Sequence, residues 1–269
     1  MVARTLPALP RVIHHYRLGP ALGAGGMGVV HRAVDERDGT VVALKILYPD
    51  LAADARFLKR FEREAEVIAL LTSPYVARLL AFGQAEGLYV MALEFVEGDS
   101  VGQVLAGGRV DAGTTLRVGR QVALALEEAH SKGVIHRDIK PDNIILRPDR
   151  NVRLLDFGIA RVAEGEALTR VGEFIGTSAY CAPEQMAGRP EAASDVYALG
   201  ATLYHMLAGK PPWGDSFKAV VEARLAGELS VEPLAGTPGN VVDIVVRCLR
   251  GDPAERYSAG ELAARLAEV

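Results

Sequence analysis

The sequence predicts an α+β chain in which a β-rich N-terminal third is followed by a mainly helical remainder. Three observations carry this. Short apolar runs separated by turn signals fill residues 16–96. A glycine-rich polar stretch, residues 97–113, interrupts the composition. Beyond it the apolar spacing becomes that of helices.

In order, YRLGPALGAGG, GVVHRAVDERDGT and VVALKIL read as three antiparallel strands, with Asp38-Gly39 as a hairpin signal between apolar runs. DARFLKRFEREAEVIALL follows as one amphipathic helix, with Phe57, Phe61, Ala65 and Ile68 at helical spacing and Asp54 as its cap. Beyond Pro74, VARLLAFG and LYVMALEFV complete an expected five-stranded sheet. After the glycine-rich break, LRVGRQVALALEEAHSKG is a helix closed by Gly133, and NIILRPDRNVRLLDFG is a short hairpin. SDVYALGATLYHMLAG is expected to be capped by Ser194 and stopped by Gly209. SFKAVVEARLAG, NVVDIVVRCLRG and SAGELAARLAEV are further helices, the last opening with a Ser258, Glu261 capping box. Residues 1–15 are expected to form a loosely ordered extension.

Composition bounds the function. The 269 residues allow one large domain or two small lobes, and a net charge of −4 leaves no basic footprint for nucleic acid or an anionic membrane. Cys181 and Cys248 are the only cysteines and lack metal-like spacing, which argues for a reducing, cytoplasmic setting. No apolar run reaches the roughly 18 residues of a membrane span.

The stretch VIHRDIKPDNIIL crowds His136, Arg137, Asp138, Lys140, Asp142 and Asn143 into a loop between strand-like runs. Asp138 has the chemistry of a general base, and Lys140 that of a group neutralising developing negative charge. Asn143, with Asp156 closing the next strand, offers hard oxygen ligands of the kind magnesium takes. A solvated turn is the bland alternative, and the apolar run directly after Asn143 speaks against it. LGAGGMGVV, with Gly23, Gly25 and Gly28, fits a flexible hairpin turn as well as a phosphate-covering loop. The strand that follows it excludes a dinucleotide fold. Lys45 ends an apolar run, either as a snorkelling surface lysine or as a lysine that Glu64 holds in place to meet an anionic partner.

Taken together, these motifs resemble the protein kinase catalytic domain over residues 16–269, in the style of bacterial eukaryotic-like Ser/Thr kinases. Their ordered co-occurrence is the specific signal. The resemblance implies a bilobal fold, with an N-lobe at residues 16–96 and a C-lobe at 97–269 joined at a hinge. It implies a Ser/Thr protein kinase using ATP and Mg²⁺, or Mn²⁺. Leu22, Gly23, Ala24, Gly25, Gly26 and Gly28 would cover the phosphates, and Lys45, positioned by Glu64, would contact them. Val30, Ala43 and Ile145 would sandwich the adenine, whose edge the backbone of Glu94 and Val96 would read behind Leu93. Asp138 would be the base, Lys140 its partner, and Asn143 and Asp156 the metal ligands. His136 and Phe157 match packing positions.

The same resemblance implies that Glu184 pairs with Arg256 and that Asp195 anchors the catalytic loop backbone. Cys181 is read as a small apolar filler and Trp213 as packing the C-lobe surface. Lys140 and Thr177 point to Ser/Thr acceptors, and Arg137 to a phosphate on Thr169 that orders the loop from Arg161 to Gln185. The expected partners are protein substrates, and a homodimer is among those the reading admits. Two rivals stand: a pseudokinase scaffold, opposed by the complete set of catalytic residues, and a small-molecule phosphotransferase, opposed by Ala182-Pro183-Glu184. A membrane-anchored receptor kinase would also contain such a cytosolic domain.

Overall fold

The computed structural model describes residues 9–157, 179–214, 219–220 and 229–269. The chain divides into two compact units, Met1–Thr72 with Ala77–Val96 and Ser73–Val76 with Glu97–Val269.

The first unit is built on strands β1 (Val12–Ile13), β2 (Tyr16–Ala24), β3 (Gly28–Asp35), β4 (Val41–Leu47), β5 (Leu79–Ala85) and β6 (Leu88–Glu94). They form one antiparallel sheet in the order β1-β2-β3-β4-β6-β5. The sheet therefore has six strands rather than the expected five. The extra one lies inside the supposed extension, because Ile13 is fully buried in a cluster with Tyr16, Val29, Ala33, Leu44 and Ile46. An apolar side chain at that depth orders the backbone on either side of it.

Helices α1 (Pro49–Ala52) and α2 (Ala55–Leu70) complete this unit. Asp54 caps α2 by accepting from the backbone N–H of Arg56. The α2 stripe of Phe61, Ala65, Val67 and Ile68 is buried, as the helical spacing predicts.

The second unit opens on β7 (Asp99–Ser100) and α3 (Val101–Leu105), inside the stretch read as a glycine-rich break in composition. Ser100 and Gln103 form a reciprocal capping box there, which starts a helix despite the glycines around it. Then come α4 (Ala112–Ser131), β8 (Ile144–Leu146), β9 (Val152–Leu154), α5 (Pro183–Met186), α6 (Ala192–Ala208), α7 (Gly239–Cys248) and α8 (Ala259–Arg265). β7, β8 and β9 make a small antiparallel sheet. Ser73–Val76 belongs to this unit through its backbone, since Tyr75 accepts from the N–H of Leu154 and Glu128 accepts from that of Ser73.

α6 is buried almost all round and is the centre of the unit. Its Gly200 is required by α7, because a Cβ there would stand 2.4 Å from the Cβ of Cys248. The cap of α6 is Glu191, and Ser194 sits three residues inside it, completing a capping box. The expectation, with Ser194 as the cap, started the helix about one turn too late because Ser is the commoner cap residue. Trp213, expected at the surface, is only 9% exposed. No helix among the described residues is long and apolar enough to cross a membrane.

Candidate active site

In the first unit, Lys45 on β4 meets Glu64 on α2, Nζ to Oε1 2.5 Å, with side-chain exposures of 13% and 2%. The surface-lysine alternative is thereby excluded, since a snorkelling head group stays in water. Glu64 is the acid on the buried face of α2, whereas Glu66 is exposed and pairs with Arg63.

The glycine-rich segment is a tight turn between β2 and β3, closed by the Gly25 N–H donating to the Gly28 carbonyl. None of Gly23, Gly25, Gly26 and Gly28 has positive φ, so the turn does not draw on that freedom of glycine. Around Gly23 and Gly25 a Cβ would meet open space, with nothing among the described residues within 4 Å. Gly28 has a packing reason instead: a Cβ would lie 2.1 Å from the Ile46 carbonyl oxygen on β4. Leu22 and Ala24 are exposed, Leu22 by 50%, while Val30, Ala43, Glu94 and Val96 are partly buried and Leu93 is buried.

In the second unit the catalytic-loop residues converge. Asp138 is buried, and its Oδ2 accepts from the amide nitrogen of Asn143 at 2.9 Å and lies 3.1 Å from the Lys140 ammonium. The same Asn143 nitrogen also donates to the Asp138 carbonyl at 2.8 Å. Asn143 ends a 3-10 turn, Pro141–Asn143, that begins directly after Lys140, so one short turn brings all three side chains together.

His136 is fully buried, and burial lowers its pKa, so the imidazole stays neutral. Its Nε2–H donates to the Leu155 carbonyl and its Nδ1 accepts from the Asp138 N–H. Both ring nitrogens are committed to backbone, which makes it a brace for Asp138 rather than a base. Its ring packs against Phe157, centroids 4.5 Å apart.

The loop is clamped from α6. Asp195 accepts from the backbone N–H of His136 and of Arg137, both at 2.8 Å, and lies 2.8 Å from His130 Nε2 on α4. Arg137 has φ 67° and Asp156 φ 41°, left-handed values that cost a side-chain-bearing residue about 1–3 kcal/mol and need outside support. Arg137 receives it at both ends, because its carbonyl accepts from the Gln185 amide at 2.7 Å. Asp156, two residues past β9, and Ile145, in β8, are partly buried.

Glu184 and Arg256 pair through two bonds, at 2.7 and 3.0 Å. Burial opposes ionisation of Glu184, but the Arg256 and Ser194 hydrogen bonds outweigh it and hold the carboxyl below its ordinary range. Cys181 is buried, as a filler should be. Gly158, Thr169 and Thr177, with most of the Arg161 to Gln185 loop, lie outside the described residues.

Sequence reasoning missed Gln185, His130 and the part-buried Tyr180–His205 pair. None belongs to a local motif.

The protein kinase domain model matches residues 16–265. The chain is 36% identical over 256 residues to serine/threonine-protein kinase PknD of Mycobacterium tuberculosis, covering 92% of this chain and 38% of PknD. It is 36% identical over 266 residues to serine/threonine-protein kinase pkn3 of Myxococcus xanthus, covering 93% of this chain and 49% of that protein. The chain thus spans half or less of the length of these relatives. The crystal structure of the M. tuberculosis PknI kinase domain superposes with a TM-score of 0.73 at 30% identity, covering 96% of this chain and 97% of that one. With the fold, the clamped aspartate loop and the family match in agreement, the chain belongs to the protein kinase domain family, among relatives that are bacterial Ser/Thr kinases.

Proposed function

We propose that this chain transfers the γ-phosphate of ATP to serine and threonine hydroxyls of proteins. The observation that carries the reading is the buried Asp138 carboxylate, aimed by Asn143 and Lys140 in a loop that Asp195 clamps. A carboxylate so fixed can take the proton of a substrate hydroxyl as that oxygen bonds to the γ-phosphorus and the bond to the ADP oxygen breaks. Lys140, one contact away, offsets the negative charge that develops on the transferred group.

The Lys45–Glu64 pair supports a role in holding phosphate. An ammonium fixed by a buried carboxylate is oriented before any ligand arrives. The open space beside Gly23 and Gly25 supports a phosphate-covering role for residues 22–28. The adenine contacts are assigned to Val30, Ala43 and Leu93 and the backbone of Glu94 and Val96 in the first unit, and to Ile145 in the second.

The donor set fits a magnesium ion. Asn143 turns its amide nitrogen to Asp138, so the amide oxygen is the group it has to offer, and Asp156 adds a carboxylate; both are hard ligands. Bound there, Mg²⁺ would neutralise phosphate charge.

The test is incubation of the purified chain with γ-labelled ATP, Mg²⁺ and a serine/threonine peptide library. The reading expects label on peptide phosphoserine and phosphothreonine, abolished by EDTA. Label confined to small molecules, or none at stoichiometric enzyme, would sink it.

A further inference from the structure

Gln185 follows Glu184 in α5, and its side chain crosses to the catalytic loop, where the amide nitrogen donates to the Arg137 carbonyl at 2.7 Å. That carbonyl belongs to the peptide bond leading into Asp138. Gln185 has no part in the phosphoryl transfer described above, yet it grips the backbone at the root of the base.

The loop needs a grip at this point. Arg137 is held at φ 67°, a left-handed value that a residue with a side chain escapes when its peptide planes are free to turn. The 137–138 peptide is one rigid plane, so its carbonyl and the Asp138 N–H would swing together and carry the Asp138 side chain with them. In the structure both edges of this plane are tied. The N–H donates to His136 Nδ1 at 3.2 Å, and the carbonyl accepts the shorter bond from Gln185. Asp195 holds the N–H groups of His136 and Arg137, which belong to the two preceding planes and leave this one to the other ties.

Gln185 has a fixed footing. Beside it Glu184 accepts two bonds from Arg256 and one from Ser194, at 2.6 to 3.0 Å. On its other side the Met186 N–H donates to the Ala182 carbonyl, and the Gln185 carbonyl accepts from Gly188, both at 3.0 Å. The side chain thus works as a strut from the Glu184–Arg256 brace to the catalytic loop. Asn143 and Lys140 hold the carboxylate end of Asp138, and the peptide sets where that side chain leaves the backbone. Proton transfer depends on both, since a base must stand within hydrogen-bond reach of the hydroxyl it serves.

We propose that Gln185 is a positioning residue for phosphoryl transfer: its amide locks the 137–138 peptide plane and so fixes the direction from which the Asp138 carboxylate meets the substrate hydroxyl. This rests on the kinase reading above.

The experiment is single-turnover transfer to a serine/threonine peptide, with peptide and ATP affinities measured beside it, at a temperature where Trp213 fluorescence shows each variant folded. Gln185→Met removes the donor at similar length. Gln185→Glu keeps the shape and, well above the carboxyl range of pH, has no N–H to give. Gln185→Met should slow transfer about tenfold, the worth of one hydrogen bond, and Gln185→Glu at least as much, while both affinities stay within about twofold of wild type. Because the effect runs through the base, adding Gln185→Met to Asp138→Asn should change the residual rate by less than about twofold. Wild-type transfer in either single variant overturns the proposal. So does a tenfold loss that reappears in the Asp138→Asn background, or peptide and ATP affinities that weaken together as a general loosening would make them. A wild type without any transfer refutes the kinase reading itself.

Discussion

Removing the Arg256 guanidinium should be among the most damaging changes this chain can suffer. Its side chain is 0% exposed and its five N–H donors all find acceptors. Two go to the Glu184 carboxylate, and one each to the carbonyls of Ala193, Arg250 and Gly251, at 2.7 to 3.1 Å. The guanidinium also stands over the Tyr197 ring, 4.9 Å from its centre. Arg256→Met keeps most of the volume but leaves a carboxylate that is only 9% exposed without its counter-charge. Losing one partner of a buried pair costs about 3–5 kcal/mol. At about 2–4 °C per kcal/mol for a chain of this size, the melting point should fall by roughly 6–20 °C. Trp213, the sole tryptophan and buried in the same unit, reports the transition in urea by its fluorescence. Adding Glu184→Gln to Arg256→Met should recover at least about 1 kcal/mol, because the stranded charge is gone. A loss below about 1 kcal/mol for the single variant, or no recovery in the double, would refute the reasoning.

The same pair sets a pH dependence. The folded pKa of Glu184 is depressed below its ordinary 4.5, so its contribution is present above that value and is lost as pH falls through the folded pKa. Urea midpoints measured from pH 6 down to pH 3 should fall more steeply in wild type than in Glu184→Gln. Asp195→Asn places an amide NH₂ against backbone N–H groups or His130, and should cost about 1–3 kcal/mol and lower kcat as the loop loosens, read by the same fluorescence and by peptide turnover. Gly28→Ala drives a methyl into the Ile46 carbonyl and should destabilise the first unit by about 1–3 kcal/mol, seen as faster amide exchange in β3 and β4.

Much of this was readable before the structure because its signals are local. Period-two runs and Asp38-Gly39 mark β3 and β4, and helical spacing on α2 singles out Glu64 as the acid on the buried face. β1 and α3 escaped because two and five residues are too short for a periodicity, although Ser100 and Gln103 carried a readable capping signal. The role of Gly28 depends on Ile46, a strand away, so composition could suggest only turn freedom. The ties between Tyr180 and His205, Gln185 and Arg137, and His130 and Asp195 join residues 25, 48 and 65 positions apart. Only the packing of α6 against α4 and the loops brings them together, and no motif written along the chain encodes that.

The measurement closest to the centre of the account is single-turnover phosphoryl transfer by Asp138→Asn, alongside its affinity for ATP. Asparagine keeps the shape and the contact with Asn143 but cannot take a proton, so transfer should fall about 10²–10⁴-fold while the ATP Kd stays within about threefold. Transfer at the wild-type rate would contradict the assignment of Asp138 as the base.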